Sequence, residues 1–249
     1  MKYNYTKFAN KEYDLIHSSG IKSGEIIPNF SFLTLDGQTK TLSDFNNKPI
    51  ILETGSISCG MFAGQSKAMN QLAIENKEFN FLLLYVREAH PGKLINAHNS
   101  IEQKFELANR LNTEDKIENR KIIIDDIEGT VHKTLGALPN MVFLIDTNRQ
   151  VIFKDEWNNS KTLQNAIQEF KITKKPLKQK WSMLPLPNIS VEYKIFKRTG
   201  WDAGLDFIIA LPKLIFSHLF SGLCNKYGNS GETDPTSSEQ IDPHEIGVN

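Results

Sequence analysis

The amino-acid sequence predicts an α/β fold with a central mixed sheet flanked by helices. The stretch from Phe79 to Val86 is almost continuously apolar, which is typical of a strand buried on both faces. A helical pattern from Ser100 to Leu111 follows it, with apolar residues three and four positions apart. Turn signals at Asp36-Gly37 and at 146–149 indicate hairpins. Strands that alternate with helices favour a sheet covered on its faces.

The first half of the chain contains an N-terminal hairpin and a strand–helix pair. Apolar positions alternate from Phe30 to Leu35 and are followed by the turn pair Asp36-Gly37, which predicts the hairpin. The segment Lys48–Thr54 is short and apolar and ends at Gly55, so we expect a strand there. The segment Ala63–Ala73 is rich in helix formers whose apolar residues share one face, which predicts a helix.

The second half of the domain continues the alternation and ends on a helix. The patterns predict a strand at Lys121–Ile124, a short helix at Thr130–Leu135, a hairpin of Met141–Ile145 with Gln150–Lys154, and a closing helix at Leu163–Phe170. Beyond Lys171 the composition becomes basic and rich in proline, which indicates a C-terminal extension.

These patterns divide the chain into four parts. Residues 1–22 are expected to be a loosely ordered arm, and residues 23–172 the compact domain. Residues 173–228 form the extension with an apolar helix. Residues 229–249 are polar enough to predict a disordered tail.

Composition excludes several classes of protein. The 249 residues carry 29 Lys+Arg against 29 Asp+Glu, so nucleic acid is not an expected partner. Two cysteines in this length argue against a disulfide scaffold, and no metal-binding spacing is present, so no metal is predicted. The polar N-terminus lacks the apolar core of a secretory signal, so we expect a cytoplasmic protein.

The apolar stretch 205–223 is long enough to resemble a membrane span. Asp206, Lys213 and His218 interrupt it, so a span is less favoured than an interfacial or docking helix kinked at Pro212. The sequence therefore leaves peripheral membrane association through 205–223 open as a partner interaction.

Cys59, in the run TGSISCGMF, is the strongest candidate for chemistry. The run follows a predicted strand and precedes a predicted helix, which would place the sulfur on the rim near the first helical turn. Unpaired N–H groups and the helix dipole would favour a thiolate there. The alternative is a small buried hydrophobic residue, which is a common fate of a free cysteine.

Polar residues near this turn could support a thiolate. Ser56 and Ser58 can donate hydrogen bonds, and His90 can relay protons. Glu88 would point to the same side of the pleat as His90 and could hold the tautomer of its imidazole. The alternative for Glu88 and His90 is a polar strand end in water.

Several motifs resemble a known family. GEIIPNF, LDGQTKTLSDF and KPIILETGSISC are similar to the opening of thioredoxin-like redoxins. GSISCGMF, LLLYVREAHPGK, AHNSIEQKFELA and GALPNMVFLID then resemble the iodothyronine deiodinase family and its cysteine-containing relatives. The resemblance covers about residues 24 to 170 and implies a thioredoxin-like fold and oxidoreductase activity.

The resemblance also implies roles for single residues. Cys59 stands where the deiodinases have selenocysteine, which makes it the expected nucleophile. The other residues it implicates are Ser56, Ser58, Glu88 and His90 for catalysis and Tyr85, His98, Leu138 and Pro139 for substrate binding. For His98 an exposed loop residue stays the alternative, and for Tyr85 a core residue. Pro139 falls where thioredoxin-like folds place a cis-proline, which would leave the Leu138 backbone available to substrate.

The chain departs from the family pattern at two further places, one of which is the segment DEWNNSK in place of a glycine-rich loop after the last hairpin. Met141 stands where the deiodinases carry an arginine, so a cation suited to anchoring a charged substrate group is absent.

The sequence thus predicts a thiol-dependent oxidoreductase of the deiodinase-like type, with reductive dehalogenation as the family activity. No bound cofactor is expected. The expected partners are a small-molecule or thiol substrate and an external thiol reductant. A homodimer stays open, because related redoxins often dimerise.

Two other functions also stay open. One is a single-cysteine thiol peroxidase, since Phe62 occupies the second position of a CxxC motif and Cys224 is the only internal cysteine that could resolve an oxidised Cys59. The other is a non-catalytic interaction module docked through residues 181–223.

Overall fold

The computed structural model of the protein describes residues 2–9, 13, 19–178 and 188–228, with side chains in the last helix described as far as residue 216. The strands are β1 (Ser31–Thr34), β2 (Thr39–Thr41), β3 (Ile50–Gly55), β4 (Asn80–Tyr85), β5 (Lys121–Ile124), β6 (Val142–Ile145) and β7 (Val151–Asp155). The α-helices are α1 (Gly60–Glu75), α2 (Ile101–Glu114), α3 (Thr130–Leu135), α4 (Ser160–Thr173), α5 (Ile189–Thr199) and α6 (Trp201–Gly228). A 3₁₀ helix (Leu42–Phe45) follows β2.

The strands described form one mixed sheet of seven, in the order β2-β1-β5-β4-β3-β6-β7. β4 lies in the middle and runs parallel to both β3 and β5. Its residues from Phe81 onward are all buried, as the continuous apolar pattern predicts. β6 and β7 pair antiparallel, and so do β1 and β2, which confirms both predicted hairpins. The predicted α/β class with a central mixed sheet is confirmed.

The two faces of the sheet bury different partners. Helices α1 and α4 cover one face, where Met69 and Leu163 pack with Ile51 of β3. Helix α2 covers the same face further along the sheet, with Leu107 and Leu111 against β4 and β5. A separate cluster on the central strands includes α3 and the N-terminal segment. Burial of one such leucine contributes roughly 1.5–3 kcal/mol, so these faces fix the position of every loop at the strand ends.

The N-terminal arm differs from the loose segment that the sequence predicts. Tyr3, Tyr5, Phe8 and Tyr13 are all buried in the structure. The guanidinium carbon of Arg87 lies 5.2, 4.9 and 4.7 Å from the ring centres of the three tyrosines. A buried cation needs such partners, since aromatic faces replace part of the hydration that it loses. The arm is therefore packed against the loop that follows β4.

The C-terminal extension adds two helices beside α1. Ile195 and Phe196 of α5 pack with Ala203 of α6 in a small cluster of their own. Pro212 lies inside α6, where the sequence predicts a kink. Within the described residues, no helix is long and apolar enough to cross a membrane. Trp181 and the predicted tail 229–249 lie outside the described residues.

Candidate active site

Cys59 lies where the strand-to-helix pattern places it, between β3 and the first residue of α1. It is the N-cap residue of α1, and its Sγ accepts a hydrogen bond from the N–H of Phe62 at 3.4 Å. Its own N–H donates to the carbonyl of Ser56 at 3.1 Å, which tightens the turn. The sulfur thus faces the unpaired N–H groups of a helix N-terminus, as expected.

The burial of Cys59 differs from the expected position on the rim. The residue is 1% exposed and packs among Ile57, Phe62 and Tyr85. Burial raises the pKa of the Cys59 thiol to about 12, and the N–H of Phe62 opposes this rise only in part. The resting sulfur is therefore a protonated thiol, because desolvation of a thiolate outweighs stabilisation by the helix terminus.

Glu88 is the centre of a buried hydrogen-bond network. Its carboxylate accepts from Tyr85 Oη at 2.5 Å and from the N–H of Ser58 at 3.1 Å, and also from the Ser58 hydroxyl. His98 Nε2 lies 2.9 Å from Glu88 Oε1. Burial alone would raise the pKa of Glu88, but hydrogen bonds from His98, Ser58 and Tyr85 hold it below its ordinary value. Three residues named from separate motifs are thus joined through one carboxylate.

His90 does not pair with Glu88, although the alternation of a strand predicts that it does. β4 ends at Tyr85, so residues 88 and 90 lie in a loop and no longer share one side of a pleat. His90 instead lies among aromatic rings, with ring centres 4.5 Å away at Phe8, 5.8 Å at Phe196 and 5.3 Å at Phe207. Its Nδ1 has no hydrogen-bond partner within the described residues. Burial lowers the pKa of His90 to about 4, so the imidazole is neutral.

Ser56 and Ser58 hold the loop and do not polarise the sulfur. The hydroxyl of Ser56 accepts from the N–H of Ala89 at 3.3 Å, and that of Ser58 accepts from the N–H of His90 at 3.2 Å. Neither hydroxyl forms a hydrogen bond with Cys59 Sγ in the described part of the chain. The Ser58 hydroxyl donates its proton to Glu88, and neither serine makes the contact with Cys59 that the sequence predicts.

Leu138 does not offer a free carbonyl to a substrate. Its carbonyl accepts from His132 Nε2 at 2.7 Å and from Thr54 Oγ1 at 3.3 Å. The structure has no cis peptide bond in the described residues, so the bond before Pro139 is trans and the predicted cis-proline is wrong. Met141 is fully buried in the core, as suits an apolar residue in place of the family arginine.

Glu192 is a site residue that the sequence analysis does not identify. It lies on α5 in the extension, is 6% exposed, and adds negative charge near Cys59. The buried residues Glu192, Ile195, Phe196 and Thr199 recur at spacings of three and four, so the helical pattern of VEYKIFKRT indicates that this glutamate faces inward.

Comparison with solved structures defines the class of the fold. A hypothetical protein from Sinorhizobium meliloti aligns with a TM-score of 0.53 at 15% identity and covers 66% of this chain and 91% of its own. An uncharacterised conserved protein from Geobacillus kaustophilus has a TM-score of 0.53 at 13% identity, over 66% of this chain and 89% of its own. A thiol:disulfide interchange protein from Bacteroides sp. is also similar, with a TM-score of 0.48, 15% identity, and coverage of 60% and 90%. The fold is thioredoxin-like, which confirms the class that the motifs predict.

Within this class, a family model assigns the chain further. The model of iodothyronine deiodinase matches residues 1–169. The protein therefore belongs to the iodothyronine deiodinase family, as the motifs around Cys59 indicate. Membership in this family supports a redox function based on a thiol. The family match ends at residue 169, so helices α5 and α6 lie outside it. Among curated proteins, none matches this chain.

Proposed function

We propose that the protein is a thiol-dependent oxidoreductase in which Cys59 is the nucleophile. The observation that carries the proposal is the position of Cys59 as the N-cap of α1, with its Sγ accepting the Phe62 N–H at 3.4 Å. This arrangement stabilises negative charge on sulfur once a proton has left. Family membership supports the same assignment, because Cys59 occupies the reactive position of the motif.

The reaction can be written as a reductive dehalogenation, the activity that the family resemblance implies. The Cys59 thiolate attacks the halogen of an organic halide, so an S–halogen bond forms and the carbon–halogen bond breaks. The carbon takes a proton and leaves as the reduced product. An external thiol then displaces halide from the sulfur and forms a mixed disulfide, and a second thiol restores Cys59. Two thiols are oxidised for each substrate reduced.

The neighbouring residues have supporting roles in this proposal. The network of Glu88 with Tyr85, Ser58 and His98 fixes the loop that borders the sulfur, so it positions Cys59 without a hydrogen bond to Sγ in the described residues. His90 is neutral and its Nδ1 is unpaired in the described residues, so it can exchange a proton with a bound substrate. Because Met141 replaces the family arginine, we expect substrates without a carboxylate that needs a cation.

Turnover of two probes tests the proposal. The wild-type chain is incubated with dithiothreitol and either an aryl iodide or hydrogen peroxide, and iodide release or peroxide loss is measured. Cys59→Ser should abolish turnover of the accepted probe. Cys224→Ser should lose turnover if Cys224 is the thiol that resolves oxidised Cys59. The variant should keep turnover if the resolving thiol is external. Full turnover by Cys59→Ser would overturn the proposal, and turnover of peroxide alone would favour the peroxidase.

A second function is favoured by the exposed face of α6. Leu205, Ile208, Ile209 and Phe216 are all more than half exposed. They recur at spacings of three, four and seven, so they form one apolar stripe along the helix. We propose that this stripe lies on a bilayer surface as a peripheral contact.

Co-sedimentation with vesicles containing phosphatidylserine tests the contact. Ile208→Glu with Ile209→Glu should move most of the protein from the pellet to the supernatant. Ile172→Glu is the matched control, because Ile172 is 84% exposed on α4 and lies outside the stripe. Equal sedimentation of all three proteins would contradict the membrane contact.

A further inference from the structure

Glu192 is an acidic residue that the fold buries without enough hydrogen-bond partners to offset the loss of hydration of its carboxylate. It lies on the inner face of α5 beside Ile195 and Phe196 and is 6% exposed. Its Oε2 has no hydrogen-bond partner within the described residues. A buried carboxyl group without partners destabilises the folded protein by several kcal/mol when it is ionised. We therefore expect a functional role for Glu192, since it does not stabilise the fold.

The carboxyl group of Glu192 is aimed at the N-terminus of α1. A Cβ atom added to Gly60 would lie 2.1 Å from Glu192 Oε1 and 2.6 Å from Oε2. Gly60 directly follows Cys59, so the absence of a side chain at Gly60 lets the carboxyl group approach the residue next to the sulfur. The negative charge of Glu192 also contributes to the raised pKa of the Cys59 thiol, after the larger effect of burial.

Of the two carboxyl groups that act electrostatically on Cys59, Glu192 has an oxygen that no described residue engages. His90 also has an unpaired Nδ1 in the described residues, but burial lowers its pKa to about 4, so it is a weaker base than Glu192. Glu88 is the other carboxylate acting on Cys59, and its oxygens already accept from Ser58, Tyr85 and His98. On α5, Lys194 and Lys197 are exposed.

No described cation neutralises Glu192 from α5 or α1. Arg198 of α5 is an ion-pair partner of Glu114 and Asp115. Lys67 of α1 is exposed, and no ion pair with Glu192 forms in the described residues. The carboxyl oxygen Oε2 is therefore unengaged over Gly60, the residue that follows a thiol which must lose a proton before it can react.

We propose that Glu192, contributed by the extension, is the general base that takes the proton of the Cys59 thiol. The proposal rests on the proposed function of Cys59 as nucleophile. In the step, the S–H bond breaks, its proton binds a carboxylate oxygen of Glu192, and the sulfur keeps the electron pair. The Phe62 N–H holds the thiolate, and the negative charge passes from Glu192 to Cys59 without net change. A buried site favours such a transfer because it creates no additional charge.

The acid–base range of Glu192 suits this role. Burial raises the pKa of its carboxyl group to about 7, so acid and base forms coexist near neutrality. A thiol whose pKa is about 12 would otherwise be almost entirely protonated at that pH.

The pH dependence of iodoacetamide alkylation at Cys59 tests the base. The full chain and Glu192→Gln are alkylated between about pH 5.5 and 9, and the Cys59 peptide is quantified by mass spectrometry. In the wild type we expect the rate to rise to an inflection near the pKa of Glu192 and then level off. In Glu192→Gln the rate should rise about tenfold per pH unit without that inflection, and it should be slower by about 100-fold near pH 7. Glu192→Asp should restore part of the inflection.

Two results for Glu192→Gln would overturn the proposal: faster alkylation near pH 7, or an inflection that stays in place. A carboxylate that only repelled the thiolate would make Glu192→Gln faster near pH 7, and a packing role would leave the inflection in place. Glu169→Gln, an exposed carboxyl on α4, is the matched control and should reproduce the wild-type profile.

A second measurement tests Glu192 as the base independently of whether the protein has the proposed redox activity. In the Cys224→Ser background, the ¹³Cβ resonance of labelled Cys59 reports the ionisation of its surroundings even when no reagent reaches the sulfur. An inflection near pH 7 that Glu192→Gln removes supports the base, and its absence from the wild type overturns it. Retained turnover by Cys59→Ser would instead overturn the redox function while leaving this coupling unchanged.

Discussion

His98 Nε2 lies 2.9 Å from Glu88 Oε1, and this contact joins the loop after β4 to the segment before α2. Both side chains are buried, so their hydrogen bond is shielded from water. The pKa of Glu88 is held below its ordinary value by His98, Ser58 and Tyr85 against the effect of burial. The carboxylate is therefore charged in the folded protein, and its partners compensate for its desolvation.

Glu88→Gln should lower the free energy of unfolding by about 3 kcal/mol, because His98 loses its anionic partner and Ser58 a charged acceptor. Urea unfolding near pH 7, followed by far-UV circular dichroism, measures the change. His98→Asn and the double variant complete a cycle in which we expect a coupling of about 1 kcal/mol or more. Additive single effects would contradict a direct pair.

His90 should make the protein less stable in acid. Its folded pKa of about 4 lies below the unfolded value of about 6.5, so between these values only the unfolded chain binds the proton. Stability contributed by neutral His90 is complete above about pH 6.5 and is lost as the pH falls through 4, by about 3 kcal/mol in all.

His90→Leu tests this pH dependence, because it removes the titrating group and keeps an apolar side chain among the aromatic rings. The urea midpoint of the variant should fall less steeply than that of the wild type between about pH 7 and 4.5. Some slope should remain, since burial also lowers the pKa of His132, to about 3. Parallel slopes in the two proteins would contradict a buried neutral His90.

Local patterns predict most elements of the fold. Lys121–Ile124 and Thr130–Leu135 agree with the structure to the residue, since each is bounded by short polar or glycine segments. The predicted helix Leu163–Phe170 is shorter than α4 because Asn159, whose side chain accepts from two N–H groups of the first turn, extends it.

The features that the sequence patterns do not predict depend on contacts between residues that are distant in sequence. The tyrosines of the arm are buried by Arg87, more than 70 positions away, and nothing near them in sequence indicates that partner. Cys59 could be located from its strand–turn–helix context, but the contribution of Glu192 to its raised pKa comes from the extension, more than 130 positions away. The pairing of Glu88 with His98 replaces the predicted pairing with His90 because β4 ends three residues before Glu88.

Arg87→Lys should lower the free energy of unfolding by about 1–2 kcal/mol. A compact ammonium group cannot lie against the rings of Tyr3, Tyr5 and Tyr13 as a planar guanidinium does. Arg110→Lys is the control, because Arg110 forms a partly exposed pair with Glu114 and should change stability by less than about 0.5 kcal/mol. Urea unfolding measures both, and equal effects would contradict a stabilising role for the tyrosine arm.

Gly60→Ala should destabilise the protein by about 1–3 kcal/mol, since the new methyl group would lie 2.1 Å from Glu192 Oε1 and force α5 or its side chain to shift. Gly64→Ala on the same helix meets nothing within 4 Å and should stabilise by about 0.5–1 kcal/mol through helix propensity. Glu192→Ala removes the obstructing carboxyl group, so Gly60→Ala in that background should lose most of its cost. Thermal and urea unfolding of the wild type and these four variants, the double variant included, measure these effects. A Gly60→Ala penalty that persists without the carboxyl group would mean that Glu192 does not lie over the N-terminus of α1.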